Sequence, residues 1–531
     1  MPSTMFGFTA KGRAAEDPED IAIIDPSASI DPQTGYVIEK KSKEERKFVA
    51  RLDVFLLIFV CISQVIKYLD QTNVSSVFRD NGWYRQHLAD QHSICVWHEG
   101  GYFNIGYAIF LIPSQIIITR VRPSLWLPAL ELCWGLLTLG IFKATSAKQI
   151  YVLRAFLGVF EASAYPGAIM LLMAWYTPRE IAFRIGFYHS CQTIGAMMAS
   201  ALQAAIQKGL DGHGGIAGWR WMFVIDSIVT LSIASAGVFL IPDFPSNPNP
   251  RAFWLKSRHV ELAKERSKRF GRSDNKKFTL RTIKSTIRQP LFYFIGSLYP
   301  ASVLAQQGYN YFNLWLKSLH HADGTLVWSK EALNAIPIGG YAITLVMVWG
   351  WSFISDYFQT RWLVVMAQAF IGLIPSIILS VWDVSNGAKY FSFFATYLSL
   401  ATAPPIFAWL SDLSPHDAEQ RAFILGWAIA FYYAMGAWSN ILIWPASEAP
   451  HYKAGWKVSI GLWILVIVLL FGLRFFELRV IRPRNRRLAA EASVQAENQQ
   501  SAALYSSHDV EEDVKDKHPE VQRIMSANSS K

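Results

Sequence analysis

Apolar residues along this chain gather in long unbroken runs, not in the narrow periodic stripes of soluble helices. Twelve runs are long enough to cross roughly 30 Å of hydrocarbon as helices of about 20 residues. They lie near 52–72, 101–119, 124–143, 149–174, 183–207 and 220–241, then near 290–316, 332–354, 361–382, 388–411, 421–444 and 457–476. The polar segment 242–289 divides them six and six. The pattern predicts an all-α integral membrane protein built as two six-helix bundles. The expected organisation is an N-terminal tail at 1–50, a bundle at 51–241, a central loop at 242–289, a second bundle at 290–478 and a polar, disordered tail at 479–531. Two related halves around a midplane site are expected for a carrier. A small internal echo fits: "GYAI" occurs at Gly106–Ile109 and again at Gly340–Ile343, in the second run of each half.

Composition agrees: 52% of residues are hydrophobic and 17% charged, against about 25% charged in soluble domains. The net charge of +10 does not point to nucleic acid, because the basic residues flank the membrane runs, where topology explains them. With both termini on one side, that side holds roughly 30 Lys and Arg and the other roughly a dozen, which places both termini and the central loop in the cytoplasm. The acid-containing N-terminus has no short apolar core and no cleavage site, so the first run is expected to act as its own insertion signal. Cys61, Cys95, Cys133 and Cys191 show no pairing pattern.

Charges inside the runs mark candidate chemistry, because one at the bilayer centre costs about 2.5–3.5 kcal/mol. "VIKYLDQTNV" closes the first run. Gln64, Lys67, Tyr68 and Gln71 follow i, i+3, i+4, i+7 spacing and share a helix face, and Asp70 is within reach of Lys67. The stripe is read as cavity-lining, with Lys67, Gln64 and Gln71 toward substrate and Asp70 toward a proton. Snorkelling of Asp70 to the headgroups is the alternative. In the fourth run Arg154, Gly158 and Glu161 again share a face, which suits a proton site beside an anion site or a static ion pair. Tyr165 and Pro166 follow, and the proline is expected to loosen the helix. His189 and Gln192 in the fifth run, and Gln306, Asn310 and Asn313 in the seventh, can bind a polar ligand or hydrogen-bond between helices. Asp356 and Arg361, in the turn "GWSFISDYFQTR", read as gating or structural residues.

His87, His92, Cys95 and His98 share one outward loop, but their spacing matches no standard zinc pattern, and no metal or other cofactor is expected. There is no phosphate-binding loop, HExxH or GxSxG, and no nucleophile–base pair stands out, so neither an ATP-driven pump nor an enzyme is expected.

The stretches "KYLDQTN", "YFNIGYAIFLIPSQIIITRVRPSLWLP", "LRAFLGVFEASAYPG", "GLDGHGGIAGWRWMFVIDS" and "SDLSPHDAEQRAFILGWAIAFYYAMGAW", spread from about residue 50 to 480, resemble the major facilitator superfamily. Within it they resemble the fungal anion:cation symporter branch of allantoate, biotin and pantothenate carriers. The last stretch, with "IWPASEAPHYKAGW", is most similar to the pantothenate carriers. The resemblance implies the twelve-helix fold of that superfamily and proton-coupled uptake of a small organic anion at the plasma membrane, by a monomer working by alternating access. Runs one, four, seven and ten would line the cavity. The fifth run, "GFYHSCQTIGAMMAS", lacks the Gly-Pro usual in drug–proton antiporters, which counts against export. The chain departs from the family in two places. "VFRDNGWYRQHLADQHSICVWHEGG" has no likeness to it, and its abrupt edges suggest an alternative splice or a mispredicted exon. "TRVRPSLW" keeps the arginines of the loop between runs two and three but has no Asp. Open alternatives are a symporter for allantoate, a ureido acid or biotin, an exporter of a secondary metabolite, and a receptor that binds a nutrient without moving it.

Overall fold

The computed structural model describes residues 42–80, 92–269, 279–485 and 487, apart from positions 179, 217, 322 and 416, together with two short strands at Ser29–Ile30 and Val37–Ile38. Ten helices among the described residues are long and apolar enough to cross a membrane. They form spans one (Lys43–Thr72), two (Gly101–Ile118), three (Pro123–Phe142), four (Lys148–Trp175), six (Arg220–Leu240), eight (Ala335–Phe358), nine (Arg361–Val381), ten (Asn386–Leu413), eleven (Ala418–Asn440) and twelve (Lys453–Asn485). Span five is the helix Ile181–Leu210. Span seven is assembled from Pro290–Ala305, a 3-10 segment Gln307–Tyr311 and Phe312–Lys317. Twelve spans thus form two bundles of six. Bulky apolar side chains such as Ile109, Val346, Leu442 and Phe475 point outward, as lipid-facing residues must.

Span one begins at a capping box. Ser42 Oγ accepts from the Glu45 N–H, and the Glu45 carboxylate accepts from the Ser42 N–H at 3.2 Å. Three spans are interrupted. Span four divides after Glu161 and resumes at Ala164, just before Pro166, which has no N–H to continue the ladder. Span ten divides between Leu398 and Ala403, where Pro404 and Pro405 occupy the first turn of the next segment, the place helices tolerate proline. Freed carbonyls at this break are capped by side chains: Trp351 Nε1 donates to Leu398 O at 3.0 Å, Gln306 Nε2 to Ser399 O at 3.0 Å and Gln368 Nε2 to Ala401 O at 2.9 Å.

Glycines set the closest helix crossing. A Cβ on Gly106 would lie 2.2 Å from Ala155 O, and one on Gly158 would lie 2.2 Å from Phe103 O. Spans two and four therefore meet backbone to backbone through this reciprocal pair. The central loop is not a bare linker. The helix Ser257–Arg269 lies under the first bundle, where Arg266 pairs with Glu180 and with Glu45 at 3.6 Å, and Trp254 stacks on Phe55 at 5.1 Å.

Gly158→Val should force spans two and four apart. Overpacking of this kind costs about 1–3 kcal/mol, so the yield of monodisperse protein in detergent should fall several-fold. Gly461→Ala, with nothing within 4 Å of the added Cβ, should match the parent. Size-exclusion chromatography of both variants checks this.

Candidate functional site

A cavity of about 250 Å³ lies between the two bundles at the level of the interrupted spans. Eight tyrosines line it: Tyr68, Tyr107 and Tyr165 from the first bundle, and Tyr299, Tyr309, Tyr341, Tyr432 and Tyr433 from the second. His189, Gln192, Gln306 and Gln307 add further polar groups. No carboxylate, ammonium or guanidinium is among the lining side chains described. The wall reads hydroxyls, amides and rings directly, and reads charge only through it.

The charges stand behind this wall, inside the first bundle. Lys67 is 1% exposed; its Nζ donates to Tyr107 OH at 3.3 Å and sits 4.9 Å from the ring centroid. Tyr107 in turn stacks on Tyr433 of the second bundle with centroids 3.9 Å apart. One side chain thus joins the buried ammonium to the cavity and to the opposite half. Gln71 Nε2 donates to Glu161 Oε2 at 2.6 Å, Tyr188 OH donates to Gln64 Oε1 at 2.9 Å, and the Arg154 guanidinium lies 5.2 Å from the Phe103 ring. Asp70 is buried, and neither of its carboxylate oxygens has a hydrogen bond. Of the polar stripe on span one, Tyr68 alone is among the described side chains that line the cavity; Gln64, Lys67 and Gln71 are bonded to Tyr188, Tyr107 and Glu161. Gln64, Lys67, Gln71 and Arg154 face neighbouring spans instead.

The other candidates divide. Tyr165 and His189 lie in the cavity wall, with Tyr165 OH 3.0 Å from His189 Nδ1. Gln192 Nε2 approaches the same nitrogen at 3.1 Å. An amide donor there makes Nδ1 the acceptor and leaves the proton on Nε2. Gln306 lines the cavity but spends its amide on Ser399 O and on Thr402 Oγ1 at 2.9 Å. Asn310 is exposed and donates to Gln307 Oε1 at 2.9 Å. Gln307, which was not singled out from sequence, occupies the wall, one helical step from Gln306.

Asp356 and Arg361 stand at the end of the molecule from which the central loop emerges. Arg361 donates to Asp356 Oδ1 at 2.6 Å, Asp412 Oδ2 at 3.0 Å, Ser355 Oγ at 2.9 Å and Pro178 O at 2.5 Å. Asp356 also accepts from the N–H groups of Ala182 (3.3 Å) and Phe183 (2.7 Å), the first turn of span five. This carboxylate caps a helix of the opposite bundle. In the first bundle Arg184 holds Asp53 at 2.7 Å. The acid missing from the loop between spans two and three is supplied by Asp243, which accepts from Ser124 N at 2.6 Å and Ser124 Oγ at 2.9 Å. Among the described residues no group of three or more His, Cys, Asp or Glu could hold a metal. The stretch holding His87, His92, Cys95 and His98 lies outside the residues whose side chains are described.

Comparison with known proteins gives a consistent picture. The pattern of the Major Facilitator Superfamily matches residues 61–440. "MFS transporter PfmaC" of Pestalotiopsis fici is 32% identical over 79% of this chain and 78% of its own length. "Pantothenate transporter liz1" of Schizosaccharomyces pombe is 28% identical over 78% of this chain and 79% of its own. Among solved structures, the proton:xylose symporter XylE superposes with a TM-score of 0.59 at 16% identity, over 80% of this chain and 96% of that one, a likeness of fold.

Arg361→Ala would remove the guanidinium that Asp356 and Asp412 share. Breaking a buried ion pair by removing one partner costs about 3–5 kcal/mol, so the thermal midpoint in detergent should drop well below that of the parent. Arg361→Ala with Asp412→Ala should recover part of the loss. A thermal-shift double-mutant cycle that found the two losses simply additive would refute the pairing.

Proposed function

The chain belongs to the major facilitator superfamily and is a membrane transporter, not an enzyme; from that premise we propose that it is a proton-coupled symporter, of the fungal anion:cation branch, for a small organic acid such as pantothenate. The reading places it in the plasma membrane as a monomer with both termini in the cytoplasm. The observation that carries it is the buried Lys67 ammonium, held against Tyr107 at the edge of an otherwise uncharged cavity.

An uncharged wall with a cation behind it favours a ligand that is polar along its length and anionic at one end. Pantothenate has that form: hydroxyls and an amide suit the tyrosines, His189 and Gln307, while the carboxylate approaches Tyr107 and feels Lys67 through it. The match to a pantothenate transporter over most of both chains supports the choice. Asp70 or Glu161 takes the proton. With substrate and proton loaded, the halves rock about the midplane. With the basic loops in the cytoplasm, as this reading has them, the contacts around Arg361 lie on the cytoplasmic side and the geometry described is the form closed to it.

One proton with one monovalent anion moves no net charge. A pH difference of about two units then supplies roughly 2.7 kcal/mol, or about 100-fold accumulation. Labelled pantothenate uptake into cells lacking their own carrier, at pH 5 and pH 7 and with and without an uncoupler, tests this. Acid-stimulated, uncoupler-sensitive uptake is expected. No uptake by protein shown to be at the cell surface would remove pantothenate and turn the test to biotin, allantoate and ureido acids. Lower accumulation than in control cells would mean an exporter, and binding without accumulation a receptor. In the same assay Lys67→Gln removes one charge-assisted interaction, worth about 1.5–3 kcal/mol, and should lower uptake at limiting substrate by about 10- to 100-fold.

A further inference from the structure

Among the acids that the first bundle buries is one in the middle of its membrane spans that the proposed cycle does not use. Asp226, in the apolar span six, is 2% exposed, as is Asp70. Spans one and six pack together, and the Asp226 carboxyl lies close enough to Asp70 for the two to share a proton. The other titratable groups around Asp70 are accounted for. Lys67, on the same span, acts on Glu161 and Tyr107. Span five brings His189, which belongs to the cavity wall. Glu131 of span three is held by Ser63 Oγ at 2.8 Å.

Counting the cluster then gives three carboxyls, Asp70, Glu161 and Asp226, against two cations, Lys67 and Arg154, all buried. In a medium of low dielectric an uncompensated charge costs several kcal/mol even after relaxation. Neutrality is reached by keeping one proton in the cluster. Glu161 already accepts a hydrogen bond from Gln71 Nε2 at 2.6 Å, as a carboxylate does. Asp70, with no hydrogen bond to either oxygen, is the carboxyl left to hold the proton.

Resting on the symport reading above, we infer that Asp226 is the positioning residue for the transported proton: its carboxylate beside Asp70 makes the buried cluster one negative charge in excess and so fixes a single proton on Asp70. Loading writes as one proton added to the Asp70 carboxylate, shared toward Asp226, and release as its loss from the same oxygen. No other bond changes.

Asp226→Asn separates this role from a packing role, because the cluster then balances at two against two without a proton. Two readouts apply. In the infrared spectrum of the purified, lipid-reconstituted protein at neutral pH, the wild type should show a buried protonated-carboxyl band that Asp70→Asn lacks. Asp226→Asn should lack it too, and Glu131→Gln should keep it. In proteoliposomes with pantothenate, Asp226→Asn should still exchange substrate measurably at equal pH but lose acid-driven accumulation, from about 100-fold toward unity. Asp226→Glu restores the count and should restore accumulation, with a displaced pH midpoint. Retention of the infrared band in Asp226→Asn would overturn the inference, as would acid-driven accumulation equal to the wild type. If the wild type itself moves pantothenate without regard to pH, the symport reading fails. The infrared comparison, which needs no substrate, still decides the site.

Discussion

Hydrocarbon offers a peptide group no hydrogen-bond partner, so a membrane helix can be interrupted only where the protein itself supplies the missing partners. The rest of this architecture follows from that constraint. The cavity lies where spans four, seven and ten break, and the break in span ten exists because Gln306, Trp351 and Gln368 reach across to its freed carbonyls. Gln306 is therefore committed twice: its carbon chain helps wall the cavity while its amide repairs the neighbouring span. The side chains left for a ligand are the tyrosines, His189 and Gln307.

The same medium explains why the charges sit where they do. An ammonium or carboxylate facing an empty cavity between the halves would lose its partners whenever the halves moved. Within one rigid bundle the partners travel together. Lys67, Asp70, Arg154, Glu161 and Asp226 all belong to the first bundle and are buried in it. Tyr107 carries their influence outward, through a hydroxyl on the ammonium and a ring on Tyr433. Its position is set by the reciprocal glycines: Gly158 lets span four approach the backbone of Phe103 and Tyr107.

The parts of this structure that were legible in sequence are those governed by length and local chemistry. Runs of apolar residues marked the spans, including span five, the helix Ile181–Leu210. Pro166 marked the break in span four, and charges within apolar runs marked the helices that bury them. Direction was not legible. Lys67 and Tyr68 are neighbours in sequence, yet one turns inward and the other toward the cavity, and only the packing of spans two and five decides which. Partners that are backbone groups, such as Pro178 O for Arg361, leave no residue-type signal at all. The docking of the central loop could have been suspected from the charged, helical spacing of "VELAKERSKR", but its acceptor Glu180 lies 86 residues away. Asp226 was visible as an acid in an apolar run; its meaning depends on a count that needs all five groups in one place.

On the proposed alternating-access reading the closed end must open without stranding a buried charge, and the contacts around Arg361 fit that need. Arg361 forms its ion pairs within the second bundle, with Asp356 and Asp412. Arg184 and Arg266 form theirs within the first bundle and its loop, with Asp53, Glu180 and Glu45. Bonds that cross between the halves at this end include four with a peptide or neutral group on at least one side: to Pro178 O, from the N–H groups of Ala182 and Phe183, and to Ser190 Oγ from Trp349. A hydrogen bond exchanged for one to water changes the balance by about 0.5–1.5 kcal/mol, or about 1.5–3 kcal/mol where one partner is charged. A stranded buried ion would cost about 3–5 kcal/mol. Four such bonds make a barrier within the range that ligand binding can overcome.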